Sequence, residues 1–496
     1  MILSFKKIKT DNWLDSWRPY LIIFFLGFLL YSKTLFFNFT YFDDNALLID
    51  NAPTISQIKN VGNLFLTDVF LSEAKYYYRP LLNVSFMAEE QIGGTLPFIF
   101  HLDNILFHIL AACLIFALFK KLKYRKSLAY LFSLFFLVHP VLTQAVAWIP
   151  GRNDSLLTIF VLAAFIYFLN FKENPKLAYY LSYLGFLLLA LFTKETAAML
   201  PLVVIIYFSL IERDKISKQD KYLLIGGSMA VGIIWYVFRA LALGSDPLAL
   251  NLIFSSFLTT WPAFFVSLGK IIWPFQLAVL PILKDSSLIS GLIFLPVLAL
   301  ALFFSKDKRY NYLLFGLAWF LLFIFPSFIR LNPLDTPDFL EHRLYLPLIG
   351  FLIILGEVNF IKNLNFKKIT VKILTVLLLI FLAALTYNHL GDFKDKISFW
   401  QSAVRTAPHS PLAHRNLGAM YYLDGRLPEA ATQYRQAIAL NENEPMAHNN
   451  LGLVMMDQGD YSQAEKEFKK ELLINPSYDK AINNYNRLLI LENRLR

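Results

Sequence analysis

Long apolar runs recur along this chain almost to residue 388. A helix needs about 20 apolar residues to cross the hydrocarbon core of a bilayer, and many of these runs approach that length. The composition points the same way, since 57% of the 496 residues are hydrophobic and 48 are Phe. The sequence therefore predicts an all-α, polytopic membrane protein.

Short basic loops divide the membrane part into eleven predicted spans. These spans lie near 19 to 38, 98 to 119, 127 to 139, 155 to 171, 178 to 193, 197 to 211, 222 to 243, 288 to 304, 311 to 329, 343 to 361 and 371 to 388. The segment from about 256 to 282 is also apolar, but Pro262, Pro274 and Pro281 interrupt it. We expect that segment to be re-entrant or interfacial, because proline breaks the helical hydrogen-bond ladder.

The formal net charge of +10 is unevenly distributed. Residues 389–496 contain 13 Lys and Arg against 13 Asp and Glu, so the whole excess lies in the membrane part. There it clusters in short loops, which the positive-inside rule places in the cytoplasm together with the N-terminus. This topology leaves the C-terminus outside and predicts a multi-pass cell (inner) membrane protein. It also argues against nucleic acid as a partner.

The N-terminus and the cysteine count add two expectations. Lys6, Lys7, Lys9 and Arg18 precede a long apolar run that lacks a small-residue cleavage pattern, so we expect a retained anchor. The single cysteine, Cys113, excludes a disulfide framework or a Cys-based metal site within one chain.

The last hundred residues repeat with a period of 34. The tripeptide Asn-Leu-Gly occurs at 416–418 and again at 450–452, and the aromatic residue Tyr434 is followed 34 residues later by Phe468. This is the tetratricopeptide period, and such arrays bind peptide or protein in a concave groove. We expect a membrane domain at 1–388 and a repeat domain at 389–496, with repeats near 413–446 and 447–480 and flanking helices at 398–408 and 481–496.

Asp43 and Asp44 directly follow the first apolar run. A carboxylate pair at a membrane mouth can take a proton from an acceptor hydroxyl or hold a divalent cation, and apolar surroundings raise its pKa. The alternative is a solvated helix cap. For a lone Asp-Asp pair the cap is the more common case, and it is the polar residues further along the chain that favour catalysis by Asp43 or Asp44. The sequence does not separate the roles of the two aspartates.

Several basic residues lie at predicted outer helix ends, although the positive-inside rule favours basic residues on the cytoplasmic side. Charges at the edge of the bilayer are costly and by default mark a ligand site. Arg79, Arg152, Lys194 and Arg343 are candidates for binding the phosphate of a lipid-linked sugar. The alternatives are snorkelling and local pairing, in which Lys194 pairs with Glu195 and Glu341 with Arg343.

Further polar residues on the outer side are candidates for a supporting site. His101, Asn104 and His108 share one helical face, which favours an interhelical hydrogen-bond network over a zinc site, because no further ligands follow at fixed spacing. The supporting polar residues predicted in this way are His101, Asn104, His139, Asp154, Glu195 and Glu341.

Five short sequence motifs precede the repeats, in this order: YFDDNALLIDN, YYRPLLNVSF, HPVLTQAVAWIPGRND, FTKETAAMLP and EHRLYLPLIGF. Together they resemble the transmembrane and tetratricopeptide-repeat O-mannosyltransferases and their bacterial relatives, in the GT-C superfamily of glycosyltransferases. The resemblance implies that the catalytic carboxylate lies at Asp43 and Asp44 in the first outer loop, and that the repeats face the lumen or periplasm. This repeat array is short compared with those of eukaryotic members.

The function predicted from these features is transfer of a sugar, expected to be mannose, from a polyprenyl-phosphate donor in the membrane. The acceptor would be a Ser/Thr hydroxyl of an extracytoplasmic protein or peptide, which the repeat groove would recruit. Two alternatives remain: a GT-C transferase that acts on a glycan or lipid, and a non-catalytic membrane scaffold for envelope assembly.

Overall fold

A computed structural model describes residues 13–72, 75, 77–212, 217–244, 250–329 and 339–495. Every regular element in these residues is helical, which confirms the predicted all-α class. The helices of nine or more residues are α1 Arg18–Tyr31, α2 Pro80–Gly93, α3 Pro97–Lys121, α4 Lys126–Val138, α5 Arg152–Glu173, α6 Leu177–Thr193, α7 Leu200–Leu210, α8 Lys218–Leu243, α9 Leu250–Thr260, α10 Ala263–Ile272, α11 Ile289–Phe303, α12 Tyr310–Ile324, α13 Pro347–Leu355, α14 Ile369–Leu390, α15 Lys396–Thr406, α16 Pro411–Leu423, α17 Leu427–Leu440, α18 Ala447–Asp457, α19 Tyr461–Ile474 and α20 Asp479–Leu495.

Fewer helices are long enough to cross a membrane than the eleven predicted spans. In the described part of the chain, six helical segments pass by length and composition, or up to seven if the bent pair Lys126–Val138 and Pro140–Ala147 is one span. The six are Arg18–Phe36, Pro97–Lys121, Ile149–Glu173, Lys218–Leu243, Tyr310–Phe328 and Ile369–Phe393. These helices are consistent with a polytopic membrane protein.

The other predicted spans also contain apolar helices, but these helices are short. Proline is one cause, because it is favoured at a helix start and usually interrupts a helix that precedes it. Pro140 follows the end of α4 at a bend of 52°, and Pro347 begins α13, which is only nine residues long. The prediction of eleven full-length spans is therefore too high by this criterion, although a helix lies in each predicted segment.

The proline-interrupted segment near 256 to 282 contains α9 and α10, and Pro262 stands directly before α10. Within the described residues neither helix is long enough to cross a bilayer, so the re-entrant or interfacial position of this segment stays a prediction. The anchor residues Lys6, Lys7 and Lys9 lie outside the described residues.

The chain divides into two compact units. The first contains the described residues of 1–277, 288–331 and 341–394, and thus α1 to α14. The second contains α15 to α20 together with Ala278–Ser287. Within the second unit, the Asp285 carboxylate accepts a hydrogen bond from the backbone N–H of His409 at 2.9 Å. The same carboxylate lies 2.6 Å from Nδ1 of the His409 imidazole.

The 34-residue period of the second unit has a packing cause. A Cβ placed on Gly418 would lie 2.8 Å from Cε1 of Tyr434, and one on Gly452 would lie 2.7 Å from Cε1 of Phe468. The first helix of each pair, α16 or α18, therefore approaches the second, α17 or α19, so closely that only glycine fits beneath the aromatic ring. The repeated glycine and the repeated aromatic residue are two sides of one contact.

Replacing Gly452 by Ala tests this contact. Helix propensity favours Ala by about 1 kcal/mol, but the overlap with the buried Phe468 ring costs about 1–3 kcal/mol. We expect a net loss of stability, visible as earlier proteolysis of the second unit when the purified full chain is heated. Gly232→Ala in α8 is the matched control, since a Cβ there meets open space. Equal protease resistance of the two variants would contradict the packing argument.

Candidate active site

The loop that carries Asp43 and Asp44 follows the 3-10 turn Ser32–Phe36 at the end of α1. The side chain of Asp44 is completely buried. Its carboxylate accepts hydrogen bonds from the backbone N–H groups of Thr40 at 2.7 Å and Phe42 at 3.1 Å, and from the Thr40 hydroxyl at 3.1 Å. Asp44 therefore holds the loop closed, and both of its oxygens are occupied.

Asp43 is in a different position, because it is only partly buried. Its carboxylate receives no hydrogen bond from the described residues. Burial and the neighbouring charge of Asp44 raise the pKa of Asp43 to about 7, although Arg79 opposes this shift. A carboxylate that has a pKa near neutrality and receives no hydrogen bond is suited to act as a general base. The geometry thus separates two aspartates that the sequence leaves equivalent.

Arg79 immediately precedes α2 and brings a cation close to Asp43. Its Nη2 lies 3.4 Å from Oε2 of Glu195, and its guanidinium stacks 4.5 Å from the ring centre of Tyr77. With the Asn153 amide oriented to satisfy both its polar atoms, the amide oxygen accepts a hydrogen bond from Nη1 of Arg79 at 3.0 Å. About 19% of the Arg79 side chain remains exposed, so it has an open face for a ligand.

Lys194 follows α6 and forms a buried ion pair with Asp154 in the first turn of α5. Its Nζ lies 2.8 Å from both carboxylate oxygens of Asp154. Nε2 of His342 approaches Oδ2 of the same carboxylate to 3.6 Å. The charges of Arg79 and Arg343 are also close enough to act on Lys194. The loop after α6, the start of α5 and the segment 341–344 therefore meet at Asp154.

Arg343 is partly exposed and donates a hydrogen bond from Nη1 to the carbonyl oxygen of Ser327 at 2.5 Å. Aromatic rings connect this region with the aspartate loop. The ring of Phe42 lies 5.2 Å from that of Trp148, which in turn lies 5.5 Å from the imidazole of His342. Three of the four predicted phosphate-binding residues, Arg79, Lys194 and Arg343, thus gather in the region of Asp43.

Arg152, the fourth predicted phosphate-binding residue, is completely buried. Its guanidinium donates to Asn104 Oδ1 at 2.7 Å and to the carbonyl oxygen of Phe100 at 2.6 Å, and it forms an ion pair with Glu89. The guanidinium carbon also stacks 4.6 Å from the ring of Phe86. These contacts use the donors of Arg152 to hold α2, α3 and α5 together, and they leave no exposed face for a ligand.

Asn104 and His108 on α3 form interhelical hydrogen bonds. The amide of Asn104 donates to the carbonyl oxygens of Val146 and Trp148, at 3.0 and 3.2 Å. His108 Nδ1 lies 2.6 Å from the hydroxyl of Tyr345. His101, on the same face, is buried, and neither ring nitrogen has a partner among the described residues.

The remaining predicted supporting residues pair with partners far away in sequence. His139 Nε2 lies 2.9 Å from the carbonyl oxygen of Ile271. Glu341 forms a buried ion pair with Lys270 on α10, and Glu195 pairs with Arg79. The local pairing of Lys194 with Glu195 is therefore replaced by two longer-range pairs, Lys194 with Asp154 and Glu195 with Arg79.

His342 and Asn153 join the site but were not singled out from the sequence. Both stand directly beside predicted residues, Arg343 and Asp154, in the polar words at helix ends. These motifs contain both residues. From the sequence alone, however, a single His or Asn at a helix end cannot be told apart from a residue that only caps the helix.

A divalent cation would need several oxygen or nitrogen ligands. In the part of the chain that the structure describes, no three His, Cys, Asp or Glu side chains come together as a metal site requires. Asp44 already accepts hydrogen bonds on both oxygens. The residues present do not fit a preformed cation site.

The first unit thus gathers a carboxylate and basic side chains at helix ends, and paired helices of 34-residue period follow it in the chain. A family model described as dolichyl-phosphate-mannose-protein mannosyltransferase matches residues 91–238. Models described as TPR repeat and tetratricopeptide repeat match residues 418–459 and 445–478.

Three relatives are protein O-mannosyl-transferases. The Caenorhabditis elegans protein F38B6.6 is 25% identical over 455 residues, which is 86% of this chain and 63% of that protein. Human TMTC1 is 27% identical over 433 residues, 73% of this chain and 48% of its own. Human TMTC3 is 32% identical over 147 residues, 29% of this chain and 16% of its own. These similarities confirm the resemblance to the transmembrane and tetratricopeptide-repeat O-mannosyltransferases, although the chain spans only about 63% of the worm protein.

Proposed function

We propose that this chain transfers mannose from a polyprenyl-phosphate donor to Ser/Thr hydroxyls of an extracytoplasmic protein. The observation that carries the proposal is Asp43, a carboxylate with a pKa of about 7 and no hydrogen-bond donor among the described residues, close to Arg79. The mannosyltransferase model at residues 91–238 and the named relatives support the choice of sugar and acceptor.

Asp43 acts as the general base in this proposal. Its carboxylate takes the proton of the acceptor hydroxyl while the hydroxyl oxygen attacks the anomeric carbon of the sugar. The bond from that carbon to the phosphate oxygen breaks, and its electron pair leaves with the lipid phosphate. One displacement inverts the anomeric configuration. Asp44 positions Asp43 through the hydrogen bonds that close the loop.

Arg79, Lys194 and Arg343 stabilise the negative charge that develops on the departing phosphate. Arg79 and Arg343 are partly exposed and offer guanidinium donors, which match phosphate oxygens in pairs. Lys194 is mostly buried against Asp154, so it contributes as a fixed positive charge behind the two arginines. Arg152 supports the site by holding the helices that present it.

The transfer reaction itself provides the test. Purified, reconstituted chain should transfer mannose from polyprenyl-phosphate mannose to a Ser/Thr peptide. Asp43 must be deprotonated to act, and its pKa is about 7, so kcat/KM should fall roughly tenfold per pH unit below 7 and level off above it. Absence of transfer from the lipid-linked donor at any pH would reject the function. A flat profile down to pH 5 would place the base elsewhere.

The repeat region, proposed at residues 389–496, recruits the acceptor protein. Asn416, Asn450 and Asn484 recur at intervals of 34 on α16, α18 and α20, and all three are partly exposed. Side chains connect two of these helices, since Asn484 Nδ2 donates to Asn449 Oδ1 at 2.9 Å. An amide side chain donates and accepts, as a peptide backbone does, so this row suits an extended polypeptide of variable sequence.

Substituting Asn416, Asn450 and Asn484 by Ala should weaken the use of a large acceptor protein. Each lost hydrogen bond is worth about 0.5–1.5 kcal/mol, so kcat/KM for the protein should fall about tenfold or more. Transfer to a short peptide should not change, because the reacting groups are untouched. Gln436→Ala with Gln463→Ala, on exposed positions of α17 and α19, is the control. An equal loss for peptide and protein would contradict the recruiting role.

The proposed location is the cell (inner) membrane, with the active site and the repeats on the extracytoplasmic side. The distribution of basic loops supports this orientation. Donor phosphate and acceptor hydroxyl then meet at the outer surface of the membrane, where the lipid product stays in the bilayer.

A further inference from the structure

A groove of about 990 Å³ lies between the first halves of α4 and α14. Tyr130 and Leu134 line it on the α4 side, and Val376 and Leu379 line it on the α14 side. The residues that line it do not include Asp43, Asp154 or the partners of Asp154. The groove is therefore separate from the candidate active site.

The walls of the groove are apolar, and part of them is exposed. Near the end of α14, the hydroxyl of Thr386 donates to the carbonyl oxygen of Val138 at the end of α4, at 2.7 Å. Towards the start of α14, Val376 lines the groove and is 53% exposed. An apolar groove with an exposed wall is open to lipid when the helices that line it lie in a bilayer.

The lining of the groove is also strongly basic. Arg125, Lys126, Lys367 and Lys372 line it. Lys126 pairs with Asp15 at 2.5 Å, and Arg125 donates to the carbonyl oxygen of Lys362. Lys367 and Lys372 are exposed, and the structure gives neither ammonium group a partner among the residues it describes. Two unneutralised cations thus stand at the mouth of an apolar groove.

We propose that this groove binds an anionic phospholipid. The headgroup phosphate lies between Lys367 and Lys372, and an acyl chain follows the apolar walls formed by Leu131, Leu134 and Val376. Basic pockets between membrane helices recognise anionic headgroups in this way. A lipid with a zwitterionic headgroup carries its own cation and gains less from two free ammonium groups. By the predicted topology, the bound lipid belongs to the cytoplasmic leaflet.

The proposal does not depend on glycosyl transfer, so it is tested by binding and stability. Delipidated full chain in detergent receives one of four probes: phosphatidylglycerol, phosphatidylcholine, polyprenyl phosphate or inorganic phosphate. Native mass spectrometry counts bound lipid, and thermal unfolding reports stabilisation, because a ligand that binds only the folded chain raises its melting temperature. Phosphatidylglycerol should bind and stabilise, and phosphatidylcholine should do so much less.

Lys367→Gln with Lys372→Gln should weaken phosphatidylglycerol binding about tenfold or more, since each basic residue contributes substantially near an anionic headgroup. Lys123→Gln with Lys368→Gln removes the same charge from exposed lysines that do not line the groove, and should change binding little. Val376→Trp, which fills the groove from an exposed position, should also reduce binding while both lysines remain.

Three results would overturn the proposal: equal binding by the two lysine double variants, equal stabilisation by phosphatidylcholine, or stabilisation by inorganic phosphate alone. The last result would identify a simple anion site. Binding of polyprenyl phosphate in preference to phosphatidylglycerol, lost in the Lys367 and Lys372 variant, would also reject the phospholipid and make the groove a second donor-lipid site.

Discussion

Asp43→Asn should lower mannosyl transfer by roughly 100-fold or more, the scale of lost general-base catalysis. The amide cannot take a proton from the acceptor hydroxyl. Because the Asp43 carboxylate receives no hydrogen bond from the described residues, the folded chain loses little when it is replaced. We expect normal insertion and an unchanged melting temperature, measured beside single-turnover transfer.

Asp44→Asn should behave differently, because Asp44 is buried and accepts hydrogen bonds on both oxygens. In Asn, an NH₂ group replaces one of the two carboxylate oxygens, and it cannot accept the hydrogen bonds that this oxygen received. Losing a hydrogen bond to a charged group costs about 1.5–3 kcal/mol of stability. Loss of stability should therefore accompany loss of activity. Asp50→Asn, at an exposed carboxylate that follows the helical turn Asn45–Ile49, is the control. If Asp44→Asn were stable and inactive while Asp43→Asn kept full activity, the two roles would be reversed.

Arg79→Ala should lower kcat/KM by roughly 100-fold or more, the loss seen when one donor to a developing negative charge is removed. A second effect follows from its charge. Arg79 lowers the pKa of Asp43, so its removal should raise that pKa above about 7 and move the acidic limb of the pH profile to higher pH. A merely structural role would not shift the profile in this direction.

Arg152→Ala is the informative contrast to Arg79→Ala. Breaking a buried ion pair by removing one partner costs about 3–5 kcal/mol, so this variant should lose folded protein. Arg426→Ala, at an exposed arginine of the second unit paired with Glu429, should affect neither stability nor turnover. An Arg79→Ala variant that unfolds like Arg152→Ala, with normal kcat/KM in the surviving fraction, would remove Arg79 from phosphate binding.

Most candidate site residues could be found from the sequence, because polar words at the ends of apolar runs are conspicuous. Their partners could not. Lys194 pairs with Asp154, 40 residues away, and Glu341 pairs with Lys270, 71 residues away. Such pairs depend on which helices meet in the folded chain, and no local spacing rule encodes them.

The number of membrane spans shows the same limit. Apolar runs locate helices well, and each of the eleven segments contains one. Whether an apolar run stays helical over a full membrane thickness depends on proline positions and on how short helices join across breaks. The 52° bend at Pro140 is a geometry that hydropathy does not report.

The sequence alone determined the all-α class, the repeated Gly and aromatic positions, and the location of polar residues at helix ends. These features follow from local periods, 3.6 residues for a helix and 34 for a helix pair. Only the tertiary structure decided that Asp44 accepts the hydrogen bonds that close the loop, while the Asp43 carboxylate receives none from the described residues. Likewise, only the tertiary structure decided that Arg152 is buried while Arg79 is partly exposed. Identical side chains acquire different roles because burial and partner geometry set the cost of their charge, and both arise from contacts between distant parts of the chain.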